Sequence, residues 1–106
     1  MSDKPAVDVR NNAAKHRFET TVEGHLAIAE YNLIKDAVIF THTEVPQALE
    51  GKGVGSALVK AGLAWARAEK RLVMPQCPFF AAYMKKHAET HDIVHPSFRS
   101  ALGIAS

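Results

Sequence analysis

Three glycines at alternate positions, Gly51, Gly53 and Gly55, enclose Lys52 and Val54 and lead into Ser56. Glycines let a backbone come close to a bound group. Where such a loop runs into a helix, the free N–H groups of the first turn converge on an anion and the helix dipole favours negative charge. Lys52 adds a mobile positive charge, while Glu50 beside the loop opposes an anion unless it turns to solvent. This spacing could therefore bind phosphate. The plain alternative is a flexible glycine-rich approach to a helix, and a short glycine pattern alone does not choose between them. Two common phosphate loops are excluded. A nucleoside-triphosphate loop needs Lys after its last glycine, but Ser56 follows Gly55, and Leu58 occupies the region where a dinucleotide fingerprint needs its third glycine.

Cys77 is the only cysteine, so no internal disulfide is possible. It precedes Pro78 at the start of a helical pattern. A helix N-terminus lowers a thiol pKa, so Cys77 is either a thiolate nucleophile or a small buried apolar residue. His87, His91 and His95 recur every four residues. On one helix they would form a ladder of metal ligands, but Glu89 is at the wrong offset for a His-Glu-x-x-His site and the helix is expected to end near His87. No metal is expected.

These residues must be held by elements with readable periods. Residues 18–22 alternate, with Phe18, Thr20 and Val22 on one face, as a half-buried strand requires. Glu23-Gly24 marks a turn into a second strand over residues 25–34. Lys35-Asp36 leads into a third over residues 37–45, which stops at Pro46. Val54, Leu58, Ala61, Trp65 and Ala68 then recur at helical spacing, with Gly62 allowing close packing. Leu72-Val73-Met74 reads as a short buried strand ended by Pro75. A second helix opens at Cys77-Pro78 and carries Phe79, Phe80, Tyr83 and Met84, and Asp92-Ile93-Val94 reads as a last strand. Residues 1–14 show no period and are expected to be a flexible tail, leaving residues 15–106 as one domain. The order β-β-β-α-β-α-β predicts an α/β fold with a mixed, mainly antiparallel sheet.

The chain has 106 residues, 47% of them apolar, which bounds it to one modest core. A net charge of +2 without a basic run gives no support for nucleic-acid binding. No apolar stretch approaches the ~20 residues that cross a bilayer, and the polar first residues contain no signal core. A cytoplasmic protein without membrane contact is expected.

Val45-Pro46, then Glu50-Gly51-Lys52-Gly53-Val54-Gly55, then Leu58-Val59 resembles the signature of the GNAT superfamily of acetyl-CoA-dependent N-acetyltransferases. That signature is Arg or Gln, two residues, Gly, one residue, then Gly or Ala, and Glu50 departs from its first position. The run Pro75-Gln76-Cys77-Pro78-Phe79 with Tyr83, His87 and Asp92-Ile93-Val94 resembles a compact subgroup of small GNAT-like proteins. The resemblance covers roughly residues 16–98. It implies a GNAT-like fold with acetyl-CoA or coenzyme A in a cleft where two strands splay apart. The diphosphate would lie on Val45, Gly51, Lys52, Gly53, Val54, Gly55 and Ser56.

Acetyl transfer needs an amine that loses a proton and a leaving thiolate that gains one. The resemblance implies Glu44, at the end of the third strand, as base. His42, two residues earlier, shares its face and could relay the proton. Tyr83 is implied as the acid that protonates the thiolate, its alternative being a core aromatic, and Cys77 could take the acetyl group first in a double displacement. Superfamily members carry two helices between their first two strands, whereas Gly24 links these strands almost directly. The acceptor side is therefore expected to be open to a small-molecule or peptide amine, or to be completed by a partner or a homodimer. Two functions follow: an N-acetyltransferase, or a catalytically weak acyl-CoA-binding or protein-interaction module on the same fold.

Overall fold

The structure, a computed structural model, describes residues 7–104. Its sheet has five strands in the order β1-β2-β3-β4-β5. They are β1 (Arg10–Asn12), β2 (Arg17–Val22), β3 (His25–Ile34), β4 (Ala37–Glu44) and β5 (Leu72–Pro75). The first four pair antiparallel and β5 joins β4 in parallel, through the crossover helix α1 (Val54–Ala68). Helix α2 (Pro78–Lys86) and the single turn α3 (Pro96–Arg99) follow. The expected α/β class with a mainly antiparallel mixed sheet is the observed one. Among the described residues no helix is long and apolar enough to cross a membrane.

The strands expected over residues 18–22, 25–34, 37–45 and 72–74 form within a residue or so of those bounds. Glu23 and Gly24 both take positive φ, 52° and 79°, as a tight hairpin turn between twisted strands requires. Two features differ from expectation. Of the segment 1–14 expected as a tail, residues 1–6 lie outside the described residues, while Arg10–Asn12 pairs with β2 and Asn11 accepts a 2.8 Å hydrogen bond from the Tyr31 hydroxyl. The last expected strand, 92–94, is corrected. Residues Ala88–Ile93 form a 3₁₀ helix, and only an isolated bridge joins Val94 to Val73. Side-chain bonds favour the tight turn here. The Thr90 hydroxyl donates to the His87 carbonyl at 2.7 Å, and Arg67 holds both carboxylate oxygens of Asp92 and the Glu89 carbonyl. Beyond the bridge, Pro96 has no N–H with which to extend a ladder.

Helices α1 and α2 meet on one face of the sheet. Residues Phe18, Ala29, Tyr31, Val38, Phe40 and Val73 point to that face by strand register and are buried. Helix α1 answers with Val54, Leu58, Val59, Leu63 and Ala66, all buried on one stripe. Phe40 and Phe80 stack at 4.1 Å with an interplanar angle of 12°. Gly62 is needed above them, because a Cβ there would stand 3.0 Å from the Phe40 ring and 3.4 Å from Phe80. Trp65 closes the other end of the cluster against Phe18 and Tyr31, at 5.7 and 5.1 Å. The opposite face carries neither helix, and Leu26, Ile34 and Leu72 on it are exposed.

Phe40 ties the sheet to both helices, so Phe40→Ala leaves a cavity that neither can fill. A loss of about 3–5 kcal/mol in urea unfolding is expected. The Arg67 hydrogen bond holds the Asp92 carboxyl below its ordinary value. A depressed folded value means that the pair's contribution is present above the unfolded value near 3.8 and is lost as pH falls through the lower folded one. For an exposed pair this is at most ~1 kcal/mol. The stabilities of wild type and Asp92→Asn should therefore differ at neutral pH and converge on acidification, measured by urea unfolding across a pH series.

Candidate functional site

Pairing between β4 and β5 stops at Phe40 and Pro75. Two residues past Pro75, Cys77 N–H still donates to the Phe40 carbonyl at 2.8 Å, and then the chain turns into α2. Strand β4 runs on to Glu44 with β3 as its only strand neighbour among the described residues. A register shift opposite Glu30 and Tyr31 leaves Thr41 as an extra residue on β4, a bulge that bends the strand where it parts from β5.

The gap opens a cleft of ≈ 470 Å³ at the start of α1. Thr43, Val45, Leu49 and Glu50 form one wall, Gly51, Gly53, Val54, Gly55 and Ser56 the mouth, and Phe79 the far side. The loop residues expected to hold an anion therefore gather at one opening, with the exception of Lys52. Its ammonium lies 3.3 Å from the Glu23 carboxylate at the β2–β3 turn. Gly51 and Gly53 take φ of 81° and 77°, which L side chains rarely adopt, and Gly53 is the N-cap of α1 without a side-chain cap bond. The N–H groups of the first turn have no acceptor within the helix, and Gly53, Val54, Gly55 and Ser56 line the mouth. Gly55 serves another purpose. A Cβ there would stand 2.5 Å from the Phe79 ring, so this glycine admits the aromatic wall.

A volume of this size, glycine-conformation loop residues and an uncapped helix start fit a diphosphate with an attached arm. Glu50 is the one carboxylate in the lining.

The candidate catalytic residues divide between the two sheet faces. His42 and Glu44 are paired across the ladder with Glu30 and Ile28, on the face without α1 and α2. Their side chains are exposed and stand 3.6 Å apart. Thr43 lies between them in sequence and faces the cleft, where its Oγ1 accepts a 3.2 Å hydrogen bond from the Cys77 thiol. Cys77 is 3% exposed and is the N-cap of α2. Tyr83 lies in the second turn of α2, stacked on His87 at 3.8 Å. It lines a neighbouring groove and not the cleft. Burial, and after it the Glu89 charge, push its phenol above the ordinary value. The three spaced histidines bond separately: His87 and His91 to the Tyr83 and Met84 carbonyls, His95 to Ser97. Among the described residues no cluster of three potential ligands could hold a metal.

Thr43 and Phe79 were not singled out from sequence. Strand alternation carries the signal for Thr43, since a residue between His42 and Glu44 must face the other side. Nothing in the helical period marks Phe79 as a wall, because it falls beside the buried Phe80.

Residues 17–93 match the sequence model of the GCN5-related N-acetyl-transferase family. The match spans more than half of the chain, which therefore belongs to that family. No curated protein matches the chain significantly.

The thiol geometry has a measurable consequence. A buried Cys77 bonded to Thr43 should react with an aromatic disulfide reagent roughly 100-fold more slowly in the folded protein than in denaturant. Equal rates would mean that the thiol is open to the cleft.

Proposed function

We propose that this member of the GCN5-related N-acetyl-transferase family is an acetyl-CoA-dependent N-acetyltransferase whose acceptor is an amine. The observation that carries the proposal is the cleft between the parted ends of β4 and β5, with the uncapped start of α1 at its mouth. Acetyl-CoA bound there would supply an activated acetyl thioester. Backbone N–H groups of residues 53–56 would hold the diphosphate, and Gly51 and Gly53 supply the positive φ that this loop conformation needs. Val45 and Leu49 line the apolar side of the arm's path, and Phe79 shields the opposite side from water.

The two faces of β4 support direct transfer. The cleft lies on the side of Thr43, and an amine approaching from the helix-free face meets Glu44 and His42. Glu44 would take the proton that the amine must lose, directly or through His42, as nitrogen bonds to the acetyl carbon and the carbon–sulfur bond breaks, the coenzyme leaving as a thiolate that takes its proton from water. Cys77 favours this route over double displacement, because its proton is engaged by Thr43 and its side chain is buried.

The glycine loop is the point to test first. Excess acetyl-CoA at 100 times its dissociation constant should stabilise the native state by roughly 2.7 kcal/mol and raise the unfolding midpoint by several degrees. Gly53→Val, which puts a β-branched residue at φ 77°, should abolish most of that shift. In steady-state transfer to a panel of amines, Glu44→Gln should lower turnover by about 100-fold or more and Cys77→Ala should retain it. Binding with no transfer to any amine would leave an acyl-CoA-binding module, and no shift at millimolar acetyl-CoA would defeat the proposal.

A further inference from the structure

Of the side chains that line the cleft, only those of Thr43 and Ser56 carry a hydrogen-bond donor. The rest are aliphatic, aromatic or glycine, except Glu50, which accepts only when ionised. Ser56 lies in the first turn of α1, at the mouth. Thr43 lies three residues past Phe40, where β4 still pairs with β5, and is the lining residue nearest along β4 to the point of parting.

The hydrogen-bonding capacity of Thr43 is filled on one side only. A hydroxyl accepts through two lone pairs and donates once. Thr43 Oγ1 accepts from the Cys77 thiol at 3.2 Å. Among the described residues nothing accepts the proton of Thr43. Thr41, two residues earlier on the same strand, differs: its hydroxyl donates to the Glu30 carbonyl at 3.5 Å. The half-buried Thr43 hydroxyl therefore stands in the cleft as a donor without a protein acceptor. The thiol on its acceptor side leaves that proton uncommitted.

We propose that Thr43 is a further catalytic residue, whose hydroxyl donates a hydrogen bond to the acyl oxygen of the thioester and stabilises the negative charge that develops there. The inference rests on the reading that the cleft takes acetyl-CoA. As the amine nitrogen bonds to the acetyl carbon, an electron pair of the carbonyl moves onto its oxygen, and it returns as the carbon–sulfur bond breaks. The Thr43 proton is shared with that oxygen throughout and stays on Thr43, so no proton changes hands in this contact. The strand separates the two roles. His42 and Glu44 flank Thr43 in sequence and turn to the opposite face of β4. A base and an oxygen donor on opposite faces keep the Glu44 carboxylate away from the developing oxyanion, which it would otherwise repel.

Infrared spectroscopy of the full chain with acetyl-CoA carrying carbon-13 at the thioester carbonyl tests this without turnover. A hydrogen bond to the oxygen weakens the C=O bond, so the carbonyl band of the bound ligand should lie at lower frequency than that of free acetyl-CoA. Thr43→Val keeps the branched shape and removes the hydroxyl, and it should lose most of that shift. Thr43→Ser should keep it. Calorimetric titration should find acetyl-CoA affinity in Thr43→Val within about 3-fold of wild type, because the contact strengthens only as charge develops. With an accepted amine, turnover of Thr43→Val should fall by about 100-fold at an unchanged KM for the amine, and Thr43→Ser should restore most of it. Far-UV circular dichroism checks that each variant is folded, and Thr43→Ala replaces Thr43→Val if the latter is not. If the band keeps its full shift in the variant without the hydroxyl, or if that variant loses acetyl-CoA affinity instead, the assignment to Thr43 is wrong while the coenzyme reading stands. If wild type does not bind acetyl-CoA, the coenzyme reading itself fails and the assignment falls with it.

Discussion

Beyond Phe40, strand β4 loses its neighbour on one side, and the site is built from the way that loss is managed. A strand edge inside a small domain exposes N–H and C=O groups that would otherwise pair. Pro75 ends β5 at the point of parting, since it brings no N–H to the ladder. Cys77 supplies the last bond, to the Phe40 carbonyl, while its extended backbone turns the chain into α2. Below the gap the stacked Phe40 and Phe80 rings fill the space where the strands still touch. The stack ties β4 to α2 at the level where the strands part. The Thr41 bulge bends β4 at the same level, so backbone pairing and aromatic packing set the opening together.

That opening gives β4 two working sides. Thr43 and Val45 turn toward the cleft beneath the helices, and His42 and Glu44 turn toward a face that α1 and α2 leave bare. Under the proposed transfer, a reacting bond held at the strand's edge would be reached from the first side by a long ligand and from the second by an acceptor. The division follows from the two-residue period of a strand and needs no further element. Cys77 and Thr43 bond to each other on the cleft side, which engages the only thiol. The exposed Leu26, Ile34 and Leu72 belong to the face without α1 and α2, over which the short Glu23-Gly24 hairpin places no helix between β2 and β3.

Much of this could be read from residue order. Alternation over residues 18–44 and the helical period from Val54 to Ala68 both rest on burial, which is the strongest patterning force, and both elements form as read. Pro78 starts α2 because a first helical position tolerates the missing N–H. What escaped depends on contacts between distant residues. Lys52 follows Glu23, a partner 29 positions earlier that only the folded hairpin brings near. Tyr83 shares its helix with the buried Phe80 and Met84 yet faces a groove, because the register of α2 against α1 decides which stripe is covered. Residues 92–94 have the apolar character of a strand, but Arg67 and Thr90 bond the preceding turn into a 3₁₀ helix.

The distribution of charge explains how a loop with an acid at Glu50 can still serve an anion. Lys52 is occupied by Glu23, so the loop's own side chains add no free positive charge at the mouth, and Glu50 contributes a negative one. Attraction there must come from the backbone, through the first-turn N–H groups and the dipole of a 15-residue helix. Such groups are fixed in direction and short in range, which selects for shape and position more than for total charge. The three glycines divide this task. Gly51 and Gly53 supply positive φ, and Gly55 lets Phe79 close the wall and keep bulk water from screening the site.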